Sequence, residues 1–168
     1  MQFSLRGVPR LLVVLVFLFM KTVVQRVNFA KVTVDEKVVG EITGGILIFL
    51  GVTQADSDTD IDYLVNKIAN LRVFPKDQKE FEVSLLESKG EALVVSQFTL
   101  YGNCANGRRP DFISAAKPDI AEVLYNKFVQ RLKALNIKTE TGVFGADMQV
   151  SLENDGPATF VIESIKSS

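Results

Sequence analysis

Strand-forming residues dominate from Thr22 to Val34, and Val32 and Val34 alternate with Lys31 and Thr33, a pattern that predicts a half-buried strand. Asp35-Glu36-Lys37 predicts a turn into a second strand, Val38 to Thr43. Gly44-Gly45 then breaks the pattern, and the nearly continuous apolar run from Ile46 to Val52 reads as a central strand. After it the period changes. Ile61, Leu64, Val65, Ile68 and Leu71 recur at helical spacing, and Asp56, Ser57 or Asp58 can cap the helix they define. A second helix opens with Pro118 in its first turn and turns Ala121, Leu124, Tyr125, Phe128, Leu132 and Leu135 to a core. Its other face carries Glu122, Lys127, Gln130, Arg131 and Lys133, the composition of a solvated surface. A weak strand, Phe81 to Leu86, and a strong one, Ala92 to Leu100, lie between the helices. Gln149 to Leu152 and Ala158 to Ile162 follow, separated by Asn154-Asp155-Gly156-Pro157, a turn by composition. The predicted fold class is α+β, an antiparallel or mixed β-sheet packed by two main helices.

Composition narrows the chemistry. With 168 residues and 47% hydrophobic content the chain suits one well-buried domain. Its formal charge of -1 gives no basic field of the kind that marks a nucleic-acid binder, so any RNA partner must be held by a local patch. Cys104 is the only cysteine, which excludes an intramolecular disulfide and fits a reducing compartment. Histidine is absent altogether. That removes imidazole bases, Ser-His and Cys-His dyads and the commonest zinc ligand. Hydrolysis here would have to rely on positioning, backbone donors, hydroxyls, carboxylates or groups of the substrate itself. Asp56, Asp58, Asp60 and Asp62 mimic a metal cluster but lack the glycine and distal glutamate of a calcium loop, so neither a metal nor a cofactor is expected.

Residues 1 to 19 stand apart. Arg6 and Arg10 precede an apolar run, Leu11 to Met20, too short for a bilayer span of roughly 20 residues but of signal-peptide length, about 7–15. Met20-Lys21-Thr22-Val23 offers no small-x-small cleavage site, and a cut there would trim the first strand. The run is apolar all round, unlike an amphipathic mitochondrial presequence. An upstream in-frame start, with Met20 as the working initiator, is preferred over targeting. The expected location is the cytoplasm, with organellar or secretory targeting left open by the extension, and no stable membrane partner is expected.

Two segments carry the most specific signal: Ser96-Gln97-Phe98-Thr99-Leu100-Tyr101 and Asn154-Asp155-Gly156-Pro157-Ala158-Thr159. Met20-Lys21-Thr22-Val23-Val24-Gln25-Arg26-Val27, Gly107-Arg108-Arg109-Pro110-Asp111-Phe112 and Gly142-Val143-Phe144-Gly145-Ala146-Asp147-Met148 accompany them in order. From about Met20 to about Glu163 the chain resembles the D-aminoacyl-tRNA deacylases. These are small homodimeric enzymes that hydrolyse the ester joining a D-amino acid, or glycine, to tRNA.

By spacing alone, Ser96 to Thr99 would be an ordinary strand end with Phe98 in the core. The resemblance implies a catalytic set instead: Phe98 N–H and its neighbours hold the aminoacyl carbonyl, Ser96 belongs to the same strand end, Gln97 orders the pocket, and Thr99 lies beside the ester. Threonine is a poor nucleophile without an adjacent base, so assistance from the substrate's 2'-hydroxyl is the expected mechanism. Gly156-Pro157 is expected to be a cis-proline element that enters the partner subunit's pocket and excludes L side chains. The resemblance makes Arg26 its brace, Met148 a lining residue and Phe112 a cover for the adenosine end. Arg108 and Arg109, with Lys117 nearby in sequence, are the candidate tRNA-phosphate contacts. The implied partners are an aminoacyl-tRNA and a second copy of the chain. One departure is Ala158, where the family commonly has valine after Gly-Pro.

Overall fold

The computed structural model describes residues 19–105 and 107–165. The expectations for the N-terminal extension fall outside these residues except at Phe19 and Met20. Among the described residues no helix is long and apolar enough to cross a membrane.

Strand β1, Lys21–Val34, is the spine of a mixed sheet. Its first half pairs antiparallel with β3, Gly45–Gly51, and its second half with β2, Lys37–Ile42. The opposite edge of β1 pairs along nearly its whole length with β8, Gln149–Glu163. Beyond β3 the strands turn parallel: β3 pairs with β6, Glu91–Ser96, and β6 with β7, Thr139–Thr141. The sheet curls almost closed. Gly40 on β2 comes so near β7 that a Cβ there would lie 2.2 Å from the Thr141 carbonyl oxygen, so only glycine lets these strands meet.

Alternation along the strands divides the core in two. Val27, Ala30, Val32, Ile42, Leu47, Leu93 and Val95 form one cluster. Val24, Ile46, Ile48, Leu50, Ala92 and Val94 belong to the other, with the helices α1, Asp58–Asn70, and α3, Pro118–Ala134. Helix α1 starts at a Ser57 cap, where Asp60 returns to accept from the Ser57 amide at 2.9 Å. Asp58 binds Lys127 at 2.9 Å and also meets Arg131, joining α1 to α3. The Lys127 hydrogen bond leads the effects that hold the Asp58 carboxyl below its ordinary range. A separate hairpin, β4 (Arg72–Lys76) with β5 (Lys79–Ser84), leads into the one-turn helix α2, Leu85–Ser88.

The sheet with its two long helices agrees with the predicted class, and several local readings are corrected. Leu85 and Leu86 are helical, because Ser84 caps α2 and Glu87 accepts from the Ser84 amide at 2.8 Å. Strand β6 stops at Ser96, and a 3-10 turn, Phe98–Tyr101, replaces the predicted strand end. Leu135 lies just past α3 and is exposed, while Val129 takes a buried place. β4 and β7 were missed. The first contains Pro75 and the second spans only Thr139–Thr141, so neither gives a strong period-2 signal. The largest correction is β8. Its two predicted segments do not reverse at Asn154–Pro157, because both pair antiparallel with the same strand, β1.

Phe128 is fully buried between α3 and the sheet. Phe128→Ala is expected to cost about 3–5 kcal/mol, measured by urea unfolding; a loss below about 1 kcal/mol would mean that α3 does not anchor this core.

Candidate active site

At the C-terminal ends of β3 and β6 lies a cavity of about 560 Å³, lined by Ser96, Gln97 and Phe98 and by Phe112 and Met148. Four separate sequence segments therefore supply one wall or another: the end of β3, the turn after β6, the stretch before α3 and the residues before β8. Gln97 N–H donates to Leu50 C=O at 2.8 Å, which fixes where β6 leaves the sheet. The 3-10 turn follows at once, with Gly102 N–H donating to Thr99 C=O at 2.9 Å. The amides of Phe98 and Thr99 open this turn and have no acceptor within it. Phe98 lines the cavity, so its amide is a backbone donor available at the wall.

Phe98 is 56% exposed, so the strand-end reading that buried it does not hold. Its ring packs edge-on against Phe112, with centroids 5.0 Å apart. Gln97 Nε2 donates to Thr99 Oγ1. Thr99 thus faces an amide rather than a base, and among the described residues Asp147 is the only charged side chain lining the cavity. Among the described residues there is no group of three or more acidic or cysteine side chains placed to hold a metal.

Below the turn, Tyr101 is buried and donates its hydroxyl to Gly51 C=O at 3.4 Å and to Phe19 C=O. Burial, then the charges of Asp56 and Glu163, push this phenol above its ordinary range. On the other side of the cavity, Ala116 N–H donates to Val52 C=O and Thr53 Oγ1 to Ser114 C=O at 2.8 Å, which holds Ser114 and Ala116 against the residues that follow β3.

Arg108 and Arg109 sit exposed in a loop closed at its base by Asn103 and Asp111, which exchange backbone hydrogen bonds of 2.8 and 3.1 Å. Phe112 follows directly, so the loop is rooted at the cavity rim. Cys104 lies exposed in the same loop and outside the cavity.

Gly156, Pro157 and Arg26 are not part of this cavity. Val27 pairs with Asn154 and Gln25 with Thr159, so two steps along β1 face five along β8 and the surplus must bulge out. Asn154 closes the neck of the bulge: its Oδ1 accepts from Ala158 N–H at 2.7 Å and its Nδ2 donates to Thr159 Oγ1 at 3.0 Å. The Gly156–Pro157 peptide at the tip is cis and both residues are exposed. Gly156 has φ +131°, and a Cβ on it would lie 3.0 Å from Arg26 Nη2, two reasons why glycine stands there.

Arg26 is almost wholly buried beneath the bulge. Its Nε meets Asp155 C=O at 3.1 Å and Asp155 Oδ2 at 3.0 Å. Its Nη1 donates to Val73 C=O at 2.7 Å and Glu80 C=O at 3.3 Å, and Phe81 covers the guanidinium. A planar fork suits so many acceptors. Arg26 thereby ties the β4–β5 hairpin and the Gly-Pro bulge to β1. Sequence reasoning reached Arg26, but it missed Asn154 as the lock, and Phe144 and Asp147 as cavity lining. Polar side chains in a turn-like stretch give no signal that separates a lock from ordinary solvation.

Arg26 pairs with Ile46 at the start of β3, whereas the cavity begins at Leu50 near its end. Four residues of strand set these apart by roughly 13 Å along β3, at about 3.3 Å per residue. The two motifs thus stand apart within one chain, and Gly156 and Pro157 are exposed.

Residues 23–163 match the family model described as D-Tyr-tRNA(Tyr) deacylase. Among curated proteins, a D-aminoacyl-tRNA deacylase of Fusobacterium nucleatum is 53% identical over 145 residues, which cover 86% of this chain and 96% of that relative. One from Aquifex aeolicus is 52% identical, with 86% and 98% covered. A solved structure titled "c-Myc DNA Unwinding Element Binding Protein" aligns with a TM-score of 0.81 and 39% identity, covering 88% of this chain and 100% of that one. A second, a probable eukaryotic D-amino acid tRNA deacylase, aligns with a TM-score of 0.76 at 19% identity, over 87% and 100%, and shares the fold.

Arg26→Ala would leave the Val73 and Glu80 carbonyls without their buried donor. It is expected to destabilise the fold by about 1–3 kcal/mol, read by urea unfolding, with Arg26→Lys recovering less than half because an ammonium cannot fork. Full stability of Arg26→Ala would show that the bulge and hairpin are held by something else.

Proposed function

The chain belongs to the D-Tyr-tRNA(Tyr) deacylase family, and on that premise we propose that it hydrolyses the ester of D-aminoacyl-tRNA and of glycyl-tRNA, as a chiral proofreader of translation in the cytoplasm. The observation that carries the reading is the separation of two intact motifs. The cavity offers backbone donors and a covered apolar wall, while the braced Gly-Pro bulge is exposed and lines no part of it. A homodimer would join them, each bulge entering the partner's cavity. The bulge then brings backbone carbonyls to the substrate's α-ammonium and a wall to the side of Cα that an L side chain would occupy. A D side chain points away from that wall. Hydrogen cannot be refused by it, so glycine passes.

In the chemical step, water adds to the ester carbonyl and the resulting oxyanion is held by the amides at the start of the 3-10 turn. The carbon–oxygen bond to the ribose 3'-oxygen then breaks, that oxygen takes the proton, and the amino acid leaves as its carboxylate with release of one proton to solvent. The neighbouring 2'-hydroxyl assists the water, since Thr99 faces Gln97 and the chain has no histidine. Gln97 fixes Thr99, the Phe98–Phe112 pair and Met148 shape the pocket, and Arg108 and Arg109 meet phosphates at the rim. The smaller Ala158 leaves the bulge's carbonyls in place.

A second reading is a non-catalytic nucleic-acid-binding module on the same fold. Its support is the similarity to the structure titled as a DNA-unwinding-element binding protein. Turnover separates the two. With matched substrates, D-aminoacyl-tRNA and glycyl-tRNA should be deacylated and the L-ester spared by at least roughly a hundredfold, a difference of about 2.7 kcal/mol in transition-state binding. Comparable rates on D- and L-esters would end the chiral reading, and no turnover on any ester would favour the module.

The proton path has its own check. Thr99→Ala should keep substantial activity, whereas a terminal 2'-deoxyadenosine in the tRNA should lower turnover by a factor of about 100 or more, within the range of general acid–base contributions. An acyl-threonine trapped by acid quench would overturn this path.

A further inference from the structure

Parallel pairing fixes what stands beside the 3-10 turn. β3, β6 and β7 run parallel, so their chains leave the sheet at one end, in the order β3, β6, β7. Past β3, Val52 and Thr53 hold Ala116 and Ser114 by hydrogen bonds, which brings in the stretch that begins at Phe112. Past β6 comes the turn itself. Past β7 come residues 142–148, where Gly142 N–H donates to Val94 C=O at 3.2 Å, two residues before Ser96. The turn is therefore flanked by the Phe112 segment on one side and by residues 142–148 on the other. With strands about 4.8 Å apart, these flanks lie about 10 Å from each other.

The second flank is anchored at several points. Ala146 N–H closes a turn on Val143 C=O at 3.2 Å, and Gly145 sits in it at φ +74°. Met148 returns onto Gly142, where a Cβ would lie 2.5 Å from its Sδ. Asp147 stands between these anchors, exposed and lining the cavity. Among the described residues, nothing forms a hydrogen bond or an ion pair with its carboxylate. Arg108 and Arg109 belong to the other flank, in the loop that Asn103 and Asp111 close before Phe112. The site is thus basic at one flank and acidic at the other. The end of an aminoacyl-tRNA has the same polarity, with an anionic phosphodiester on the 5' side of the terminal nucleoside and an α-ammonium beyond the ester.

An ammonium drawn into an apolar cavity loses hydration that neutral carbonyls replace only in part, and it needs a counter-charge. The bulge of a second copy would bring carbonyls, but its own carboxylate, Asp155, is already paired with Arg26 at 3.0 Å. We propose that Asp147 is a specificity-determining residue: its carboxylate is the counter-charge for the substrate's α-ammonium, and it selects esters with a free α-amine over those whose α-nitrogen is acylated or replaced by oxygen. The inference rests on the deacylase reading. A cavity of about 560 Å³ is roughly 10 Å across, the Debye length at about 0.1 M salt, so the carboxylate acts throughout it. The Gly-Pro wall then reads handedness and Asp147 reads charge. Glycine passes the wall, so an N-acylated glycyl ester is refused at its nitrogen rather than at Cα.

The test compares D-phenylalanyl-tRNA with D-phenyllactyl-tRNA, which has a hydroxyl in place of the amine, at about pH 6.5, below the ordinary α-amino range of about 7.7–8.0. The unaltered protein should prefer the amine. Asp147→Asn should lower kcat/KM for the aminoacyl ester at least roughly fivefold more than for the hydroxy ester, the upper end for an exposed ion pair, and the loss should fall mainly in KM. Asp147→Glu should restore most of the preference. A second readout needs no turnover: calorimetric titration with 3'-(D-phenylalanylamino)-3'-deoxyadenosine and its α-hydroxy counterpart should show the same preference and the same loss in Asp147→Asn. That binding pattern in a protein without turnover would refute the deacylase reading and leave the role of Asp147 standing. No preference in the unaltered protein, an equal loss on both esters, or a preference that Asp147→Asn keeps in turnover and binding would each overturn the proposal.

Discussion

A guanidinium taken out of water costs several kcal/mol unless every donor finds a partner, and the bulge end of this fold is arranged around meeting that cost for Arg26. Val73 and Glu80 lend carbonyls from the β4–β5 hairpin, and Asp155 lends both a carbonyl and a carboxylate from the neck of the bulge. Their partner sits on β1, the strand to which β2, β3 and β8 are all paired. Because β1 is fixed in the sheet on both edges, whatever Arg26 holds inherits that fixity. The exposed tip at Gly156–Pro157 is thus supported from beneath by a buried charge and laterally by the Asn154 lock. A tip supported in this way can act as a wall, since discrimination by exclusion needs a surface that does not yield.

The same register that supports the bulge also keeps it from its own chain's cavity. Arg26 lies opposite the start of β3, and Leu50 and Val52, near its end, open the cavity floor. The parallel pairing of β3 with β6 then delivers Ser96 and Gln97 to that same end. Donors and wall are therefore held apart on one sheet, and the proposed composite site would bring them together from two copies.

Much of this was readable from residue patterns, and the gaps have physical causes. The helical faces of α1 and α3 were legible because apolar spacing repeats over several turns, as with Ile61, Leu64, Val65 and Ile68, all buried. Short or interrupted strands such as β4 and β7 give too few alternations to register. Asn154–Pro157 misled for a different reason. Turn-forming residues specify a local bend, but whether the chain reverses or only bulges is decided by which strand lies alongside, and that partner, β1, is more than a hundred residues away in sequence. The site residues were reached through motif resemblance, and the cavity gathers Ser96, Gln97, Phe98, Phe112 and Met148 while leaving Gly156, Pro157 and Arg26 apart. Periodicity could not have found that division, because it depends on the register of β1 against β3.

The central claim is that a functional site needs a cavity from one chain and a bulge from another, and mixed dimers address it most directly. One chain would carry a disabling change in the cavity, Gln97→Ala with Phe98→Ala, and the other a disabling change in the bulge, Gly156→Ala. Each change alone should leave a homodimer nearly inactive on D-aminoacyl-tRNA. Co-refolded and separated by distinct tags, the heterodimer should regain up to about half the activity of the unaltered protein, since one of its composite sites contains an intact cavity and an intact bulge. A heterodimer as inactive as its parents, or full activity in a demonstrated monomer, would contradict the account.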